Sequence, residues 1–264
     1  MYAFEYHRPT SVADAVALLQ RASEARLLAG GHTLLPTLKQ RLAQPSDLID
    51  LGAIKELRRI AVEGGQLVIG ATTPHAEVAG SEEVRSFAPA LAYLADHIGD
   101  AQVRNCGTIG GSIANNDPAA DYPAAVLGLN ATVHTTKRTI AADDFFRGMF
   151  ETALEPDEII TEVRFPKPDR AGYAKFPNPA SRYAIVGVMV AQTGGQTRVA
   201  VTGAGPCVFR LPEAEQALAS NFAPGALDGL SVSPADLNSD IHASAEYRAH
   251  LVKVMAKRAV QAAL

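Results

Sequence analysis

The sequence predicts an α+β protein built in two parts. The prediction rests on a strand–glycine–helix–strand pattern near the start, on hairpin patterns with Gly-Gly turns, and on Pro166 and Pro168 in a connecting segment. Prolines so close together interrupt both helix and sheet, which makes residues 166–170 the predicted boundary between the parts. With 264 residues, the chain is long enough to bury one large core or two ordinary ones.

The first unit is predicted to be a small parallel βαβ unit. Ser11 can cap a first helix, and a short apolar strand at 26–29 ends at a pair of glycines, 30–31. A second helix begins at about Leu34, and another strand covers 47–51. Strand, glycine turn, helix and strand in this order favour parallel pairing of the strands.

The pattern changes to hairpins and short helices after residue 53. In chain order it predicts strands at 60–62 and 67–70 around a Gly64-Gly65 turn, helices between 74 and 97, a glycine-rich loop at 107–112, a helix at 122–129, and strands at 131–135 and 159–165. Beyond the boundary it predicts strands at 183–192 and 196–203 around Gly194-Gly195, and a final amphipathic helix from about Ser244.

Composition excludes several classes of function. A net charge of −4 argues against a nucleic-acid binder, which needs a basic surface. The start of the chain has no signal-peptide pattern, and the longest apolar stretch, 183–191, is far shorter than the roughly 20 residues of a membrane helix. Two cysteines make neither a disulfide framework nor a four-thiolate iron–sulfur site. We therefore expect a cytoplasmic protein without a membrane span.

Two glycine-rich segments are the candidate binding elements. The first glycine segment consists of Ala29, Gly30, Gly31, His32 and Thr33. The second glycine segment consists of Thr108, Ile109, Gly110, Gly111 and Ser112. Residues without a Cβ let backbone N–H groups approach a ligand closely, and successive N–H groups form an anion-binding concavity. Each segment alone can also be an ordinary tight turn, whereas together they can grip a pyrophosphate.

Motifs of competing functions are absent from the sequence. There is no G-x-G-x-x-G after the first strand and no G-x-x-x-x-G-K-[ST], which disfavours a Rossmann unit and a P-loop. No zinc-ligand spacing and no G-x-S-x-G occur, and no nucleophile stands out. The sequence therefore predicts neither a catalytic side chain nor a metal ligand.

Several motifs together resemble a known family. They are the two glycine segments, the stretch Asn115-Asn116-Asp117-Pro118-Ala119-Ala120-Asp121-Tyr122-Pro123, the stretch Thr202-Gly203-Ala204-Gly205-Pro206 and the segment 239–248. This combination is similar to the FAD-binding medium subunit of the molybdenum hydroxylases, of the aerobic carbon monoxide dehydrogenase type. The similarity covers almost the whole chain, and the combination of motifs is highly specific.

The resemblance implies a two-part FAD-binding domain of the vanillyl-alcohol-oxidase (PCMH) type over residues 1–168, with subdomains at about 1–53 and 54–168. A smaller C-terminal α+β domain with an antiparallel sheet is then expected over 169–264. In the family the two glycine segments hold the FAD pyrophosphate, and within the first of them the backbone of His32 matters more than its ring.

The resemblance also implies roles for single residues near the flavin. Asp121 and Lys175 are expected to contact the cofactor, and Tyr183 is expected to lie over one face of the isoalloxazine ring. Ile98, Ile159 and Ile160 are expected close to the flavin. Each residue has another reading: Asp121 can cap the helix that begins near Tyr122, Lys175 can be a surface charge, and Tyr183 and the isoleucines can be core residues. Arg182 departs from the acidic or small residue that relatives often carry there.

The function implied is an electron relay. Electrons from [2Fe-2S] clusters on a small partner subunit would pass through FAD to an external acceptor, while a large molybdopterin-binding subunit oxidises the substrate. The expected assembly is a dimer of such heterotrimers. Two alternatives remain open from the sequence: a stand-alone FAD-dependent oxidoreductase of the same fold superfamily, and a non-catalytic nucleotide-binding module.

Overall fold

The fold is α+β, as the sequence predicts. A computed structural model describes all residues from 1 to 264. The strands are β1 (Glu5–His7), β2 (Ala25–Leu28), β3 (Asp47–Asp50), β4 (Ile60–Glu63), β5 (Gln66–Gly70), β6 (Thr132–Thr135), β7 (Thr139–Ala141), β8 (Phe146–Gly148), β9 (Glu151–Thr152), β10 (Ile160–Pro166), β11 (Arg170–Pro177), β12 (Ala184–Thr193), β13 (Gln196–Thr202) and β14 (Phe209–Arg210). The α-helices are α1 (Val12–Arg21), α2 (Leu34–Lys39), α3 (His75–Gly80), α4 (Glu82–Phe87), α5 (Pro89–Asp96), α6 (Ala101–Cys106), α7 (Ile109–Asn115), α8 (Tyr122–Gly128), α9 (Ala142–Phe145), α10 (Pro212–Ser220) and α11 (Ala245–Ala262). None of the helices is both long enough and apolar enough to cross a membrane.

The N-terminal unit is the predicted parallel βαβ arrangement. Its three strands lie in the order β1-β3-β2, and both pairings are parallel. Helix α1 starts where expected, because the Ser11 hydroxyl accepts a hydrogen bond from the Asp14 N–H at 3.1 Å. The apolar face of α1 packs on β3 in a small core with Ala15, Leu19 and Ile49 at its centre.

The middle of the chain forms a five-stranded antiparallel sheet covered by helices. Its strand order is β4-β5-β10-β6-β7. Gly64 and Gly65, with φ of +58° and +77°, make the two-residue turn between β4 and β5, a conformation that favours glycine. The main core lies between this sheet and helices α3–α5, α7 and α8.

The C-terminal part is a four-stranded antiparallel sheet, β11-β12-β13-β14, with α10 and α11 on one face. Met189 and Ala200 point from the other face into the main core, so the sheet is buried on both sides. Burial on both sides explains the long apolar run in β12, which needs no polar face. Helix α11 lies directly on β11, where a Cβ at Gly172 would be only 2.1 Å from the Ala259 carbonyl oxygen. The domain division at residue 168 stays a prediction.

The structure differs from the sequence prediction at two segments next to the site. The expected loop at 107–112 is a loop only up to Thr108, because α7 begins at Ile109 and the glycines form its first turn. The segment 170–177, for which the sequence predicts no element, is strand β11 and pairs with β12 along its length. In both cases distant parts of the chain supply the hydrogen-bond partners, which a local pattern does not contain.

Candidate functional site

A deep cleft runs between the N-terminal unit, the helices of the middle part and the start of β12. Its volume is about 1130 Å³, slightly above the roughly 300–1,000 Å³ of small-molecule sites. All but two of the predicted site residues line it. These are Ala29, Gly30, Gly31, His32, Thr33, Ile98, Thr108, Gly110, Gly111, Ser112, Asp121, Ile159, Ile160 and Tyr183. The side chains of Ile109 and Lys175 lie behind the cleft wall.

The first glycine segment presents unused backbone donors to the cleft. It follows the end of β2, and Gly31 has a φ of +74° that favours glycine. The N–H groups of residues 29–34 have no acceptor anywhere in the chain. The Thr33 hydroxyl is also unpaired and does not cap α2. Successive free N–H groups beside a cavity are the arrangement that binds anions.

The second glycine segment has a different backbone. The N–H of Ile109 donates to the Thr73 carbonyl at 3.2 Å, and that of Gly110 donates to the Ala71 carbonyl at 2.9 Å. The N–H of Gly111 donates to the Thr108 hydroxyl at 3.1 Å, which caps α7. The Ser112 N–H bonds within the helix to the Thr108 carbonyl. Only the Thr108 N–H and the Ser112 hydroxyl remain free for a ligand.

The two glycine segments lie against each other. A Cβ on Gly30 would be 2.0 Å from the Cys106 carbonyl oxygen and 2.7 Å from the Gly107 Cα. A Cβ on Gly111 would be 3.8 Å from the Ala29 Cβ. Position 30 therefore requires glycine, because any side chain there would overlap the backbone of residues 106 and 107. The two glycine segments border the same part of the cleft.

A buried charge cluster closes the cleft at Asp121. Tyr173 and Lys175 lie two residues apart on β11 and so share one face of the strand. The Tyr173 hydroxyl donates to Asp121 Oδ1 at 2.5 Å, and Lys175 Nζ lies 3.0 Å from the same oxygen. Lys175 also donates to the His97 carbonyl at 2.7 Å. Burial raises the pKa of the Asp121 carboxyl, and the Lys175 ammonium and the Tyr173 hydroxyl oppose that rise.

The capping interpretation of Asp121 and the surface-charge interpretation of Lys175 do not agree with these contacts. Asp121 makes no side-chain cap bond to α8, although it precedes that helix. Lys175 is not a surface charge, because its side chain is only 6% exposed. Lys175 reaches the cleft through Asp121, whose carboxylate lines it.

Tyr183 is fixed at the cleft by a tight turn before β12. Asn178 is 4% exposed, and its amide nitrogen donates to the Tyr183 hydroxyl at 3.2 Å. The Asn178 amide oxygen accepts from the Ala180 N–H at 2.9 Å, which closes the turn. Arg182 adopts a φ of +63°, and the His242 ring stands edge-on to Tyr183 at 6.1 Å. The Tyr183 ring is therefore oriented by the chain itself.

The isoleucines occupy two kinds of position. Ile98 is half-buried beside the Asp121 cluster, since the adjacent His97 carbonyl accepts from Lys175. Ile159 and Ile160 are 1% and 5% exposed and pack in the cores as well as lining the cleft. Ile109 is fully buried in the main core, so only its backbone belongs to the second glycine segment.

Sequence reasoning missed Tyr173, Asn178 and His75, all of which stabilise or line the site. A strand prediction for 170–177 would have placed Tyr173 on the same face as Lys175. Asn178 belongs to no motif, although its partners Ala180 and Tyr183 are near it in sequence. His75 carries no such signal, because its partner Gly107 comes from a distant segment.

The residues present fit a dinucleotide with a pyrophosphate. The first glycine segment supplies free N–H groups, and Thr33 and Ser112 add hydroxyls whose oxygens have no partner in the chain. No lysine lines the cleft, and its lining arginines are Arg26 and Arg248. Arg248 is committed to the chain, because it donates to the carbonyls of Ile185 and Gly203 at 2.6 and 2.9 Å. Neutral donors thus dominate the binding surface. No cluster of side chains suited to hold a metal ion is present.

Comparisons with known proteins agree with this chemistry. The family described as "FAD binding domain in molybdopterin dehydrogenase" matches residues 2–168, and the "CO dehydrogenase flavoprotein C-terminal domain" matches residues 171–263. The nicotine 6-hydroxylase medium subunit of Paenarthrobacter nicotinovorans is 38% identical over 98% of this chain and 96% of that protein. The carbon monoxide dehydrogenase medium chain of Hydrogenophaga pseudoflava is 38% identical with the same coverage of both chains.

A solved structure extends the likeness to three dimensions. It is the carbon monoxide dehydrogenase from Hydrogenophaga pseudoflava that lacks the Mo-pyranopterin moiety of the molybdenum cofactor. One of its chains superimposes with a TM-score of 0.88 at 39% identity, covering 99% of this chain and 97% of that chain. This chain therefore belongs to the FAD-binding medium subunits of the molybdenum hydroxylase family, and its cofactor is FAD.

Proposed function

We propose that this subunit relays electrons between a small partner subunit with [2Fe-2S] clusters and an external acceptor, as part of an oxidoreductase whose large partner subunit binds molybdopterin. Support for partners comes from the relatives, which are named as medium subunits or medium chains of such enzymes. When bound, FAD supplies the chemistry, because a flavin can take up and release electrons singly or in pairs. The chain's own residues bind and orient it.

The pyrophosphate end of the cofactor is assigned to the two glycine segments. The free N–H groups of residues 29–34 would donate to the phosphate oxygens, with the hydroxyls of Thr33 and Ser112 beside them. The observation that carries this assignment is the row of unpaired N–H groups facing the cleft. Half-buried backbone donors are nearly always paired in proteins, so the unpaired N–H groups of the half-buried residues 29–31 and 34 indicate a ligand, whereas those of the exposed His32 and Thr33 can also bond to water.

The flavin end is assigned to the part of the cleft around Asp121, Ile98 and Tyr183. Asp121 would offer a carboxylate oxygen to the ring system, held in place by Tyr173 and Lys175. The Tyr183 ring would cover one face, and Ile159 and Ile160 would add apolar contacts to the bound cofactor. Lys175 is thus proposed to act through Asp121.

The proposed assembly is a dimer of heterotrimers, each with one large, one medium and one small subunit. A cytoplasmic location is proposed with it, since Cys106 and Cys207 are both free thiols, as in a reducing compartment. In this assembly the substrate is oxidised on the large subunit, and no side chain of this subunit has to transfer a proton to it.

Co-purification tests the proposed assembly. A tagged chain expressed with its neighbouring genes should bring down two partners, one with molybdopterin and one with iron–sulfur absorption. The flavin absorption of the complex should bleach when the substrate of the large subunit is added. A purified chain that is fully active alone as an FAD-dependent oxidase would contradict the relay.

Tyr183→Ala should retain FAD but change the rate at which the reduced flavin reacts with oxygen, because one ring face loses its cover. The measurement is stopped-flow reoxidation, with the exposed Tyr2→Ala as the matched control. Reoxidation equal to wild type in both variants would remove Tyr183 from the site.

A further inference from the structure

His75, the first residue of α3, lies where the two glycine segments meet. It is 4% exposed and lines the cleft. Its N–H donates to the Gly107 carbonyl at 3.0 Å, and Pro74 forms a bridge with Thr108. A Cβ on Gly107 would be 2.7 Å from His75 Nε2, so glycine is needed there for the ring to sit against the backbone. Gly30 also packs against Gly107, because a Cβ on Gly30 would be 2.7 Å from the Gly107 Cα.

The two nitrogens of the His75 ring have different surroundings. Nδ1 is buried on the interior side and has no hydrogen-bond partner. The hydroxyl of Tyr122 is likewise buried and unpaired, and the two rings lie 5.2 Å apart between centroids. Nε2 lies on the side of Gly107, which lines the cleft. A buried polar atom without a partner is typically satisfied by a buried water or by a small side-chain rotation.

A tyrosine hydroxyl can donate or accept a hydrogen bond, and as a donor to Nδ1 the Tyr122 hydroxyl would fix the tautomer of His75. Burial raises the pKa of Tyr122, so its hydroxyl keeps its proton. Burial, with the nearby positive charge of Arg104 and the ring of His32, lowers the pKa of His75 to about 4, so the imidazole is neutral near pH 7. A neutral imidazole carries one N–H, and an Nδ1 that accepts leaves that proton on Nε2.

We propose that His75, with its tautomer set by Tyr122, is a neutral hydrogen-bond donor that directs Nε2–H at the pyrophosphate of FAD. The inference rests on the proposed placement of the pyrophosphate between the glycine segments. The need for such a donor follows from the second glycine segment, whose N–H groups from Ile109 to Ser112 are consumed inside the chain. His75 supplies from a side chain what that segment's backbone cannot.

Affinity measurements on three variants test the role of His75. FAD and ADP, the latter as a probe of the adenosine pyrophosphate part, are titrated into apoprotein and followed by flavin fluorescence and by calorimetry. His75→Leu should weaken both ligands by about tenfold or more, since a hydrogen bond to a charged group is lost. His75→Gln keeps an N–H donor and should recover most of the affinity. Thermal unfolding of each apoprotein shows whether the variant is folded.

The tautomer is measured independently by two-bond ¹H–¹⁵N correlation spectra of histidine-labelled protein. Wild type should show His75 protonated at Nε2, with a shifted Nε2 resonance when FAD is bound. Tyr122→Phe should introduce the Nδ1–H tautomer. This readout does not depend on activity, and a purely structural histidine would not respond to FAD in this way.

The outcomes separate the inference from the proposed function. If wild type and His75→Leu bind FAD equally tightly, the proposed role of His75 is overturned and the proposed function is not affected. An Nδ1–H tautomer in wild type would also overturn it, even if the variants fail to fold. Wild type that binds neither FAD nor ADP would overturn the proposed function, and the role of His75 with it.

Discussion

The two glycine segments look alike in sequence and differ in what their backbones do. Both have adjacent glycines followed within two residues by a hydroxyl side chain. In the first, the N–H groups of residues 29–34 have no acceptor in the chain and face the cleft. In the second, the N–H groups of Ile109 to Ser112 all bond to the chain.

The difference teaches what a pair of glycines can and cannot indicate. Missing Cβ atoms predict that something approaches the backbone closely, but they do not say what approaches. At Gly110 the approaching group is Ala71 of the same chain, whose Cβ would lie 2.6 Å from an added Cβ. At Gly30 the chain approaches as well, since an added Cβ would be 2.0 Å from the Cys106 carbonyl oxygen, but the N–H groups of residues 29–34 remain unpaired. The predicted site residues accordingly divide into those facing the cleft and those facing the chain.

The largest effect is expected where a chain-facing residue carries a charge. Lys175→Met leaves Asp121 buried without its cation, and removing one partner of a buried pair costs about 3–5 kcal/mol. We expect a loss of this size in the free energy of unfolding of the apoprotein, measured by urea denaturation. Lys39→Met, at an exposed lysine on α2, is the control and should change stability by less than about 0.5 kcal/mol. Equal stability of the two variants would show that Lys175 does not stabilise the buried Asp121 in the apoprotein.

Gly110→Ala should reduce the stability of the apoprotein, and any loss of FAD affinity should follow from that change in the fold. An added methyl group in the space taken by Ala71 forces backbone shifts that cost about 1–3 kcal/mol. The apoprotein melting temperature should fall, whereas Gly80→Ala, which meets no atom within 4 Å, should leave it unchanged. A Gly110→Ala protein with an unchanged melting temperature and no FAD affinity would restore the simple picture of two equivalent phosphate loops.

Much of this architecture was predictable because its signals are local. The Gly64-Gly65 and Gly194-Gly195 turns, the cap at Ser11, the start of the final helix near Ser244 and the apolar run of β12 each depend on neighbouring residues, and the sequence predicts them at the correct places. The existence of the first glycine segment after a strand was predicted for the same reason.

The remainder depends on contacts between distant residues. Helix α7 was expected to be a loop, because its glycines favour turns, yet the carbonyls of Ala71 and Thr73 accept its first N–H groups. Tyr173 reaches Asp121 across 52 positions of sequence. His75 belongs to no motif, and only the assembled fold places it at the cleft.

The smallest effects are expected from the free hydroxyls. Thr33→Val and Ser112→Ala each remove one donor that has no partner in the chain. Each should weaken FAD binding about two- to tenfold, the range of a single hydrogen bond, without changing the melting temperature of the apoprotein. Ser86→Ala, at an exposed serine of α4, is the control for the titration. If neither variant binds more weakly than Ser86→Ala, the hydroxyls do not contact the pyrophosphate.

Amide hydrogen exchange tests the contrast between the two segments most directly. In the apoprotein the amides of residues 29–34 should exchange rapidly, because they lack acceptors, and those of Ile109–Ser112 should already be protected. Addition of FAD should protect residues 29–34 and leave Ile109–Ser112 nearly unchanged. Protection that appears mainly at Ile109–Ser112, or no gain at residues 29–34, would contradict the account.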